Sequence, residues 1–324
     1  MKYNKKGNCG LFTKLCLSAI TGGVLCNIWY MFTISNPTYL SLSDLQSDLA
    51  VLDKEEETSD VASRLERIEM YQDRYRYKLP APFRNHTARD DLCGSYPKYT
   101  KWFDMKDDQH FRSEFRNHED QTIYNIFFED EENQIKGSVV EMGAFDGLQA
   151  SNSHFFDQCL GWETMLVEGN PVLWDRLAAN RPHAHRFSYV PSCTEEDEIA
   201  KKTIKFDNLP MTNGGVADGS VRTSYSGRNL TVVAPCGSLT KVLLDIFPQG
   251  HVSFFSLDVE GSEPRVVEKI EFDKVFIEIM MIETRNVFCQ KDCKSRAEFR
   301  KIMIDAGYIL FENMVIVHIL VVFI

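Results

Sequence analysis

Two segments, Val252-Ser-Phe-Phe-Ser-Leu257 and Val275-Phe-Ile-Glu-Ile-Met-Met-Ile282, are almost continuously apolar. Runs of that length suit strands buried on both faces, and such strands occur in sheets flanked by helices on either side. Beyond residue 110, further short apolar runs alternate with amphipathic stretches, the pattern of an α/β sheet with crossover helices. The spacing predicts strands at 137–142, 163–168, 184–190, 251–258, 274–283, 307–311 and 314–323. The final run, Met314 to Ile324, is about half the length a membrane span requires, so it reads as a closing strand. With 44% hydrophobic residues in 324, the chain has ample material for a core, which excludes a disordered chain. A formal net charge of -11 excludes the basic surface that nucleic-acid binding needs, so no nucleic-acid partner is expected.

A second apolar run has a different meaning. Leu15 to Ile34 carries no charge for twenty residues, which at 1.5 Å per residue matches a hydrocarbon core about 30 Å thick. Lys2, Lys5, Lys6 and Lys14 precede it, whereas the first charge after it is Asp44. The positive-inside bias therefore predicts a cytosolic tip (1–14), a signal-anchor helix (15–34) and everything beyond it in a lumen or outside the cell. A cleaved signal peptide fits less well, because the run exceeds the usual apolar region and no small-x-small site follows it. The expectation is a single-pass type II membrane protein of the secretory pathway, with the Golgi one candidate station. Acceptor sequons at Asn85-His-Thr87 and Asn229-Leu-Thr231 agree with that topology. In such a compartment Cys93, Cys159, Cys193, Cys236, Cys289 and Cys293 would form disulfides, with Cys289 and Cys293 the expected local bridge.

Leu42, Leu45, Leu49 and Leu52 follow three-four spacing, and Val61, Leu65 and Ile68 repeat it. This predicts a helical stem over 35–80 that either pairs two chains into a homodimer or packs on its own domain. The tract Leu79-Pro-Ala-Pro-Phe83 ends it, so the following domain is expected over 81–324, with its core at 137–324.

The chemistry gathers at expected strand ends. Val139-Val-Glu-Met-Gly-Ala-Phe-Asp-Gly147 is a strand followed by a glycine-punctuated turn, then a helix near Ser151. Glycines there let backbone approach a ligand closely, although any tight strand-to-helix connection can use them. The second strand ends at Glu168, roughly twenty residues on, where dinucleotide-binding folds place an acid on the ribose hydroxyls. The loop lacks the tight Gly-x-Gly-x-x-Gly that brings backbone against a pyrophosphate, which favours a nucleoside ligand without phosphate. A third strand end supplies Asp258-Val-Glu260-Gly-Ser-Glu263. Glu260 and Glu263 suit the positive end of a following helix. Asp258 ends a buried apolar strand, where an unused charge is costly. Glu283-Thr-Arg-Asn286 adds another acid and an amide, too few oxygens to predict a metal site.

These motifs in this order, with Ser151-Asn-Ser153, Gly161-Trp-Glu-Thr-Met-Leu-Val-Glu-Gly-Asn-Pro171, Val232-Val-Ala-Pro-Cys-Gly-Ser-Leu239, Leu257-Asp-Val-Glu-Gly-Ser-Glu263 and Ala306-Gly-Tyr308, resemble the FkbM-type methyltransferase family over roughly residues 110–324. The resemblance implies a Rossmann-like class I methyltransferase sheet of seven strands, the last antiparallel, with S-adenosyl-L-methionine as cofactor. It implies that Glu141, Gly143, Ala144, Asp146 and Gly147 line the methionine part of the cofactor. Glu168, with Asn170 beside it, would hold the ribose. Asp258 and Glu260 would face the transferred methyl, with Asp258 the first choice of base and His154 and His251 the alternatives. Two features depart from the family's pattern. Thr194 to Asn229 is a long insertion before a helix, either a lid or a disordered loop, and the closing strand lacks the acid that often precedes it.

The function expected from the whole is a membrane-anchored O-methyltransferase acting on a small molecule or on the hydroxyl of a sugar or glycan. A non-catalytic methyltransferase-like membrane protein is the first alternative, since a lumenal enzyme needs its cofactor carried across the membrane. A metal-dependent glycosyltransferase using Asp258-Val-Glu260 is the second, and it leaves the glycine turn and Glu168 without a role.

Overall fold

A computed structural model of the chain describes residues 60–82, 119–128, 137–207, 215–217, 231–284, 294–313 and 317–322. The expected membrane helix, most of the stem, both sequons and the pair Cys289 and Cys293 lie outside those residues. Among the described residues no helix is long and apolar enough to cross a membrane. The chain divides into two compact units, Met1–Ser63 and Arg64–Ile324, and the second holds the strands found among the described residues.

Helix α1 covers 60–74 and α2 Glu119–Phe127. Then come β1 (Ser138–Met142), α3 (His154–Gln158), β2 (Glu163–Val167), α4 (Trp174–Asn180), β3 (His185–Phe187), α5 (Glu195–Ile199), β4 (Thr203–Asp207) and β5 (Thr231–Pro235). The order continues with α6 (Leu239–Ile246), β6 (His251–Leu257), α7 (Glu263–Val267), β7 (Phe276–Glu283), α8 (Arg296–Asp305), β8 (Tyr308–Asn313) and β9 (Val317–Val322).

Seven strands form one sheet in the order β3-β2-β1-β6-β7-β9-β8. The first five are parallel, and β9 runs antiparallel to both β7 and β8. All seven expected strands are present. The order reverses between β1 and β6, and an open α/β sheet opens its ligand crevice at the carboxyl ends of the strands beside such a point. The central strands are mostly apolar because both faces are covered. On β7, Met280 and Ile282 join the larger core, while Ile279 and Met281 join a second one around Phe155, Phe156, Trp162 and Phe254.

The compact unit that holds the described strands begins at Arg64, within the segment expected as the stem. Tyr71, Tyr75 and Tyr77 are buried in the larger core, whereas Leu65 of the expected aliphatic seam is 56% exposed. Aromatic residues one helical turn apart bury this part of the stem, so a count of aliphatic positions missed it. Asp245, buried on α6, fixes the helix by accepting hydrogen bonds from Arg67 Nε (2.9 Å) and Tyr71 Oη (2.7 Å). Of the two readings of the stem, its end from Arg64 onward follows the one that packs on its own domain.

The insertion also contains regular structure. β4 and β5 pair antiparallel as a separate two-stranded sheet, preceded by α5, whose Thr194 and Asp197 form a capping box. Thr203-Ile-Lys-Phe-Asp207 alternates polar and apolar, the period-two signal of a strand. Cys193 and Cys236 form a disulfide at the base of this insertion, Cα atoms 5.6 Å apart.

One buried cation ties the first crossover together. Arg181, just past α4, is fully buried and pairs with fully buried Asp157 at 2.8 Å. It also donates to the Gly147 carbonyl (3.1 Å), Ser151 Oγ (3.0 Å) and Ser153 Oγ (3.1 Å). Breaking one side of a buried pair strands the other charge, at roughly 3–5 kcal/mol. Arg181→Leu should therefore destabilise the protein by about that amount in urea unfolding, and a loss below about 1 kcal/mol would contradict the assignment.

Candidate functional site

At the carboxyl edge, three strand ends are locked by backbone bonds. The Gly143 and Ala144 amides donate to the Val167 carbonyl at 3.0 and 3.1 Å, and the Asp258 amide donates to the Met142 carbonyl at 3.1 Å. Gly143 has φ +82°, and a Cβ there would overlap the Asp258 carbonyl oxygen. Only glycine permits this approach of β1 to β6.

Above the locked ends lies a cavity, part of it open to solvent. Gly143, Glu168, Asp258 and Glu260 line it. Phe145, Ala150 and Glu260, all on its wall, hold positive φ of 49°, 56° and 56°. Non-glycine residues in that region are strained, and such strain collects at ligand sites.

Glu168 is 7% exposed. Its Oε2 accepts from the Phe145 amide at 2.8 Å and its Oε1 from the Asn170 amide at 2.7 Å. Burial pushes this carboxyl up to about 7 against the opposing pull of those two amides. Each oxygen keeps a second acceptor direction, so the group can receive a pair of hydroxyls.

Across the cavity, carboxylate oxygens of Asp258, Glu263 and Glu283 lie within 4.8 Å of one another. Three acids so close do not all ionise. Glu283 is pushed up to about 10, by burial first and then by the charge of Asp258. It therefore keeps its proton at neutral pH and hydrogen-bonds to Asp258, whose own carboxyl is raised by burial despite that bond. Glu263 is raised to about 7, by burial and then Asp258. Its Oε1 accepts from the Val259 and Gly261 amides at 2.9 and 3.0 Å, which shapes the loop after β6. A shared proton and a hard cation are the two ways to relieve this cluster. Among the described residues it is the one group placed to hold a metal.

The other expected site residues are not among those that line the cavity. Glu141 is buried in β1, where its carboxylate accepts from the Asn152 amide (2.7 Å), Ser151 Oγ (2.7 Å) and Ser153 Oγ (2.5 Å). Asp146 Oδ1 accepts from the Leu148 and Gln149 amides at 3.0 and 2.9 Å. Asn170 Oδ1 accepts from the Val172 amide at 3.1 Å. Ala144 packs on Leu166 and Leu177, and Gly147 lies against Arg181. These five shape the two loops that carry the cavity-lining residues. His154 is buried at the start of α3, outside the lining. His251 opens β6 and bonds to Glu278 at 2.6 Å. Seven residues of strand set it about 20 Å from the carboxyl edge, which removes it as a base there. The sequence reading missed Phe145, Gln149, Ala150, Phe206 and Val216. The first three sit in an irregular turn without periodicity, and the last two belong to the insertion.

The chain matches no protein-family profile and no curated protein. Among solved structures it is similar to a TehB-like SAM-dependent methyltransferase from Corynebacterium glutamicum, at 8% identity over 74% of this chain and 99% of that one, TM-score 0.32. It is also similar to a SAM-dependent methyltransferase from Aquifex aeolicus, at 10% identity over 70% and 98%, TM-score 0.30. A precorrin-6y C5,15-methyltransferase from Geobacter metallireducens matches at 10% identity over 57% and 79%, TM-score 0.29. At such scores the fold assignment rests on the strand order and the locked carboxyl edge.

Proton sharing in the acid cluster has a measurable sign. Glu283 has an ordinary value of 4.5 and a folded value of about 10. Its contribution to stability is fully present below pH 4.5 and is lost as pH rises to about 10, because the unfolded chain releases the proton first. Glu283→Gln keeps a donor and does not titrate. Its advantage in melting temperature over the parent should widen steadily from pH 5 to pH 9, and parallel curves would contradict the shared proton.

Proposed function

We propose that the chain is an S-adenosylmethionine-dependent O-methyltransferase, held in a membrane of the secretory pathway by residues 15–34, whose acceptor is a neutral hydroxyl such as that of a sugar or glycan. The observation that carries the reading is the cavity at the β1/β6 switch point, with Glu168 on one side and Asp258 on the other. The residues fit the cofactor: Glu168 retains acceptor capacity for two ribose hydroxyls, and the turn after β1 lacks the Gly-x-Gly-x-x-Gly that would cradle a pyrophosphate.

When bound, S-adenosylmethionine supplies an electrophilic methyl group on a sulfonium. Glu168 orients the nucleoside by accepting from its ribose. Asp258, raised by burial and steadied by the proton on Glu283, is the base that takes the acceptor's hydroxyl proton as its oxygen attacks. Glu260, strained at the cavity mouth, faces the acceptor side. Acids on this wall and the excess of 47 acidic over 36 basic residues repel polyanionic acceptors, which favours an uncharged hydroxyl. The positive N-terminus and the apolar run support the anchor and its orientation.

The test uses the full chain in detergent micelles. Calorimetry with S-adenosylhomocysteine should give saturable binding that Asp258→Asn preserves. The same substitution should lower transfer of labelled methyl groups to glycans of a Golgi extract by about 10²-fold or more. A folded chain that binds no S-adenosylhomocysteine contradicts the enzyme reading.

A further inference from the structure

One wall of the cavity comes from outside the main sheet. A disulfide joins Cys193 and Cys236 across the insertion, at a sequence separation of 43. Val190 joins its base through a parallel bridge to Cys236 and by donating its amide to the Pro235 carbonyl at 2.9 Å. In and beneath the insertion, Val190, Cys193, Phe206, Val216, Ala234 and Cys236 bury against one another as a small core of their own. Phe206 of β4 bridges Val216, and both line the cavity.

The ring of Phe206 lies over the chain beside Glu168. A Cβ added at Gly169 would come within 2.5 Å of Phe206 Cζ, so only a glycine lets the ring rest there. The two ends of the cavity therefore differ. Asp258 and Glu260 make one end acidic, whereas Leu173, Val190, Phe206 and Val216 make the end beyond Glu168 apolar, with one aromatic face. A nucleoside has the same asymmetry: a flat apolar base joined to a hydroxylated ribose.

We propose that Phe206 is the face on which the base of the bound nucleoside rests, and that the Cys193–Cys236 disulfide fastens this face to the sheet, so that β4 is part of the ligand site. The inference rests on the methyltransferase reading in needing a nucleoside ligand. A two-stranded sheet is marginal in water without further support. Among the described residues, β4 and β5 pack on the small core, and the disulfide fixes where the insertion leaves and rejoins the body. Stacking of a base on an aromatic ring is strong enough to dominate placement of the purine.

S-adenosylhomocysteine binding by the full chain in detergent micelles, measured by calorimetry and fluorescence, tests this. Phe206→Leu keeps an apolar side chain and removes the ring, and it should weaken binding about tenfold or more, the loss expected for one stacking contact. Phe206→Trp should retain affinity and add a ligand-dependent quench of fluorescence that the parent lacks. The double substitution Cys193→Ser and Cys236→Ser should weaken binding in the same direction as Phe206→Leu. Parent-like affinity in Phe206→Leu, or no added quench in Phe206→Trp, overturns the proposal even though the parent binds. If Phe206→Leu fails to fold, the fluorescence of Phe206→Trp decides. Absence of binding in the parent itself overturns the nucleoside reading from which the proposal starts.

Discussion

A single buried guanidinium holds the loop on which the site depends. Arg181 has no exposed surface, and its nitrogens reach Asp157, the Gly147 carbonyl and the hydroxyls of Ser151 and Ser153. Those same hydroxyls donate to Glu141, buried inside β1. Burial raises the Glu141 carboxyl, and the positive charge of Arg181 is the largest influence opposing that rise. One cation thus serves two acids and fixes the turn from β1 into α3. Phe145, whose amide Glu168 holds, stands in that turn. A loop free to move there would scatter the donors that shape the cavity, which is why rigid support behind a site matters as much as the residues facing it.

The electrostatics of the site are built from carboxyls that burial has displaced upward. Glu168 and Glu263 sit at about 7 and Glu283 at about 10. Each is costly to the fold, and each is bonded to a loop amide or to a neighbouring acid, as buried polar groups require. In the cluster around Asp258, burial raises that carboxyl and Glu283 keeps its proton at neutral pH. Strained backbone at Phe145, Ala150 and Glu260 lies on the cavity wall.

The sheet was legible in the sequence because its strands carry unmixed signals. Val252 to Leu257 and Val275 to Ile282 are apolar on both faces, and the strand ends carry glycines and acids where backbone must turn. The candidate site was legible in part. Gly143, Glu168, Asp258 and Glu260 reach the cavity, because a residue ending a parallel strand is carried to the ligand edge by topology alone. Glu141, Asp146 and Asn170 share the same motifs and hydrogen-bond to neighbouring loop amides, and a motif does not distinguish a side chain that lines the cavity from one that shapes the turn. Phe206 and Val216 were hidden in the insertion, since the alternation in Thr203 to Asp207 is short and its partner strand lies more than twenty residues away. Tyr71 and Tyr75 were missed because the stem was read through its aliphatic residues alone.

The central claim is that the carboxyl edge between β2 and β6 holds a nucleoside, with Glu168 on its ribose. A crystal structure of the chain with S-adenosylhomocysteine tests it most directly. The account predicts both ribose hydroxyls within hydrogen-bond distance of the Glu168 carboxylate and the sulfur on the Asp258 side. Ligand bound elsewhere, or a Glu168 that touches only the Phe145 and Asn170 amides, would contradict it.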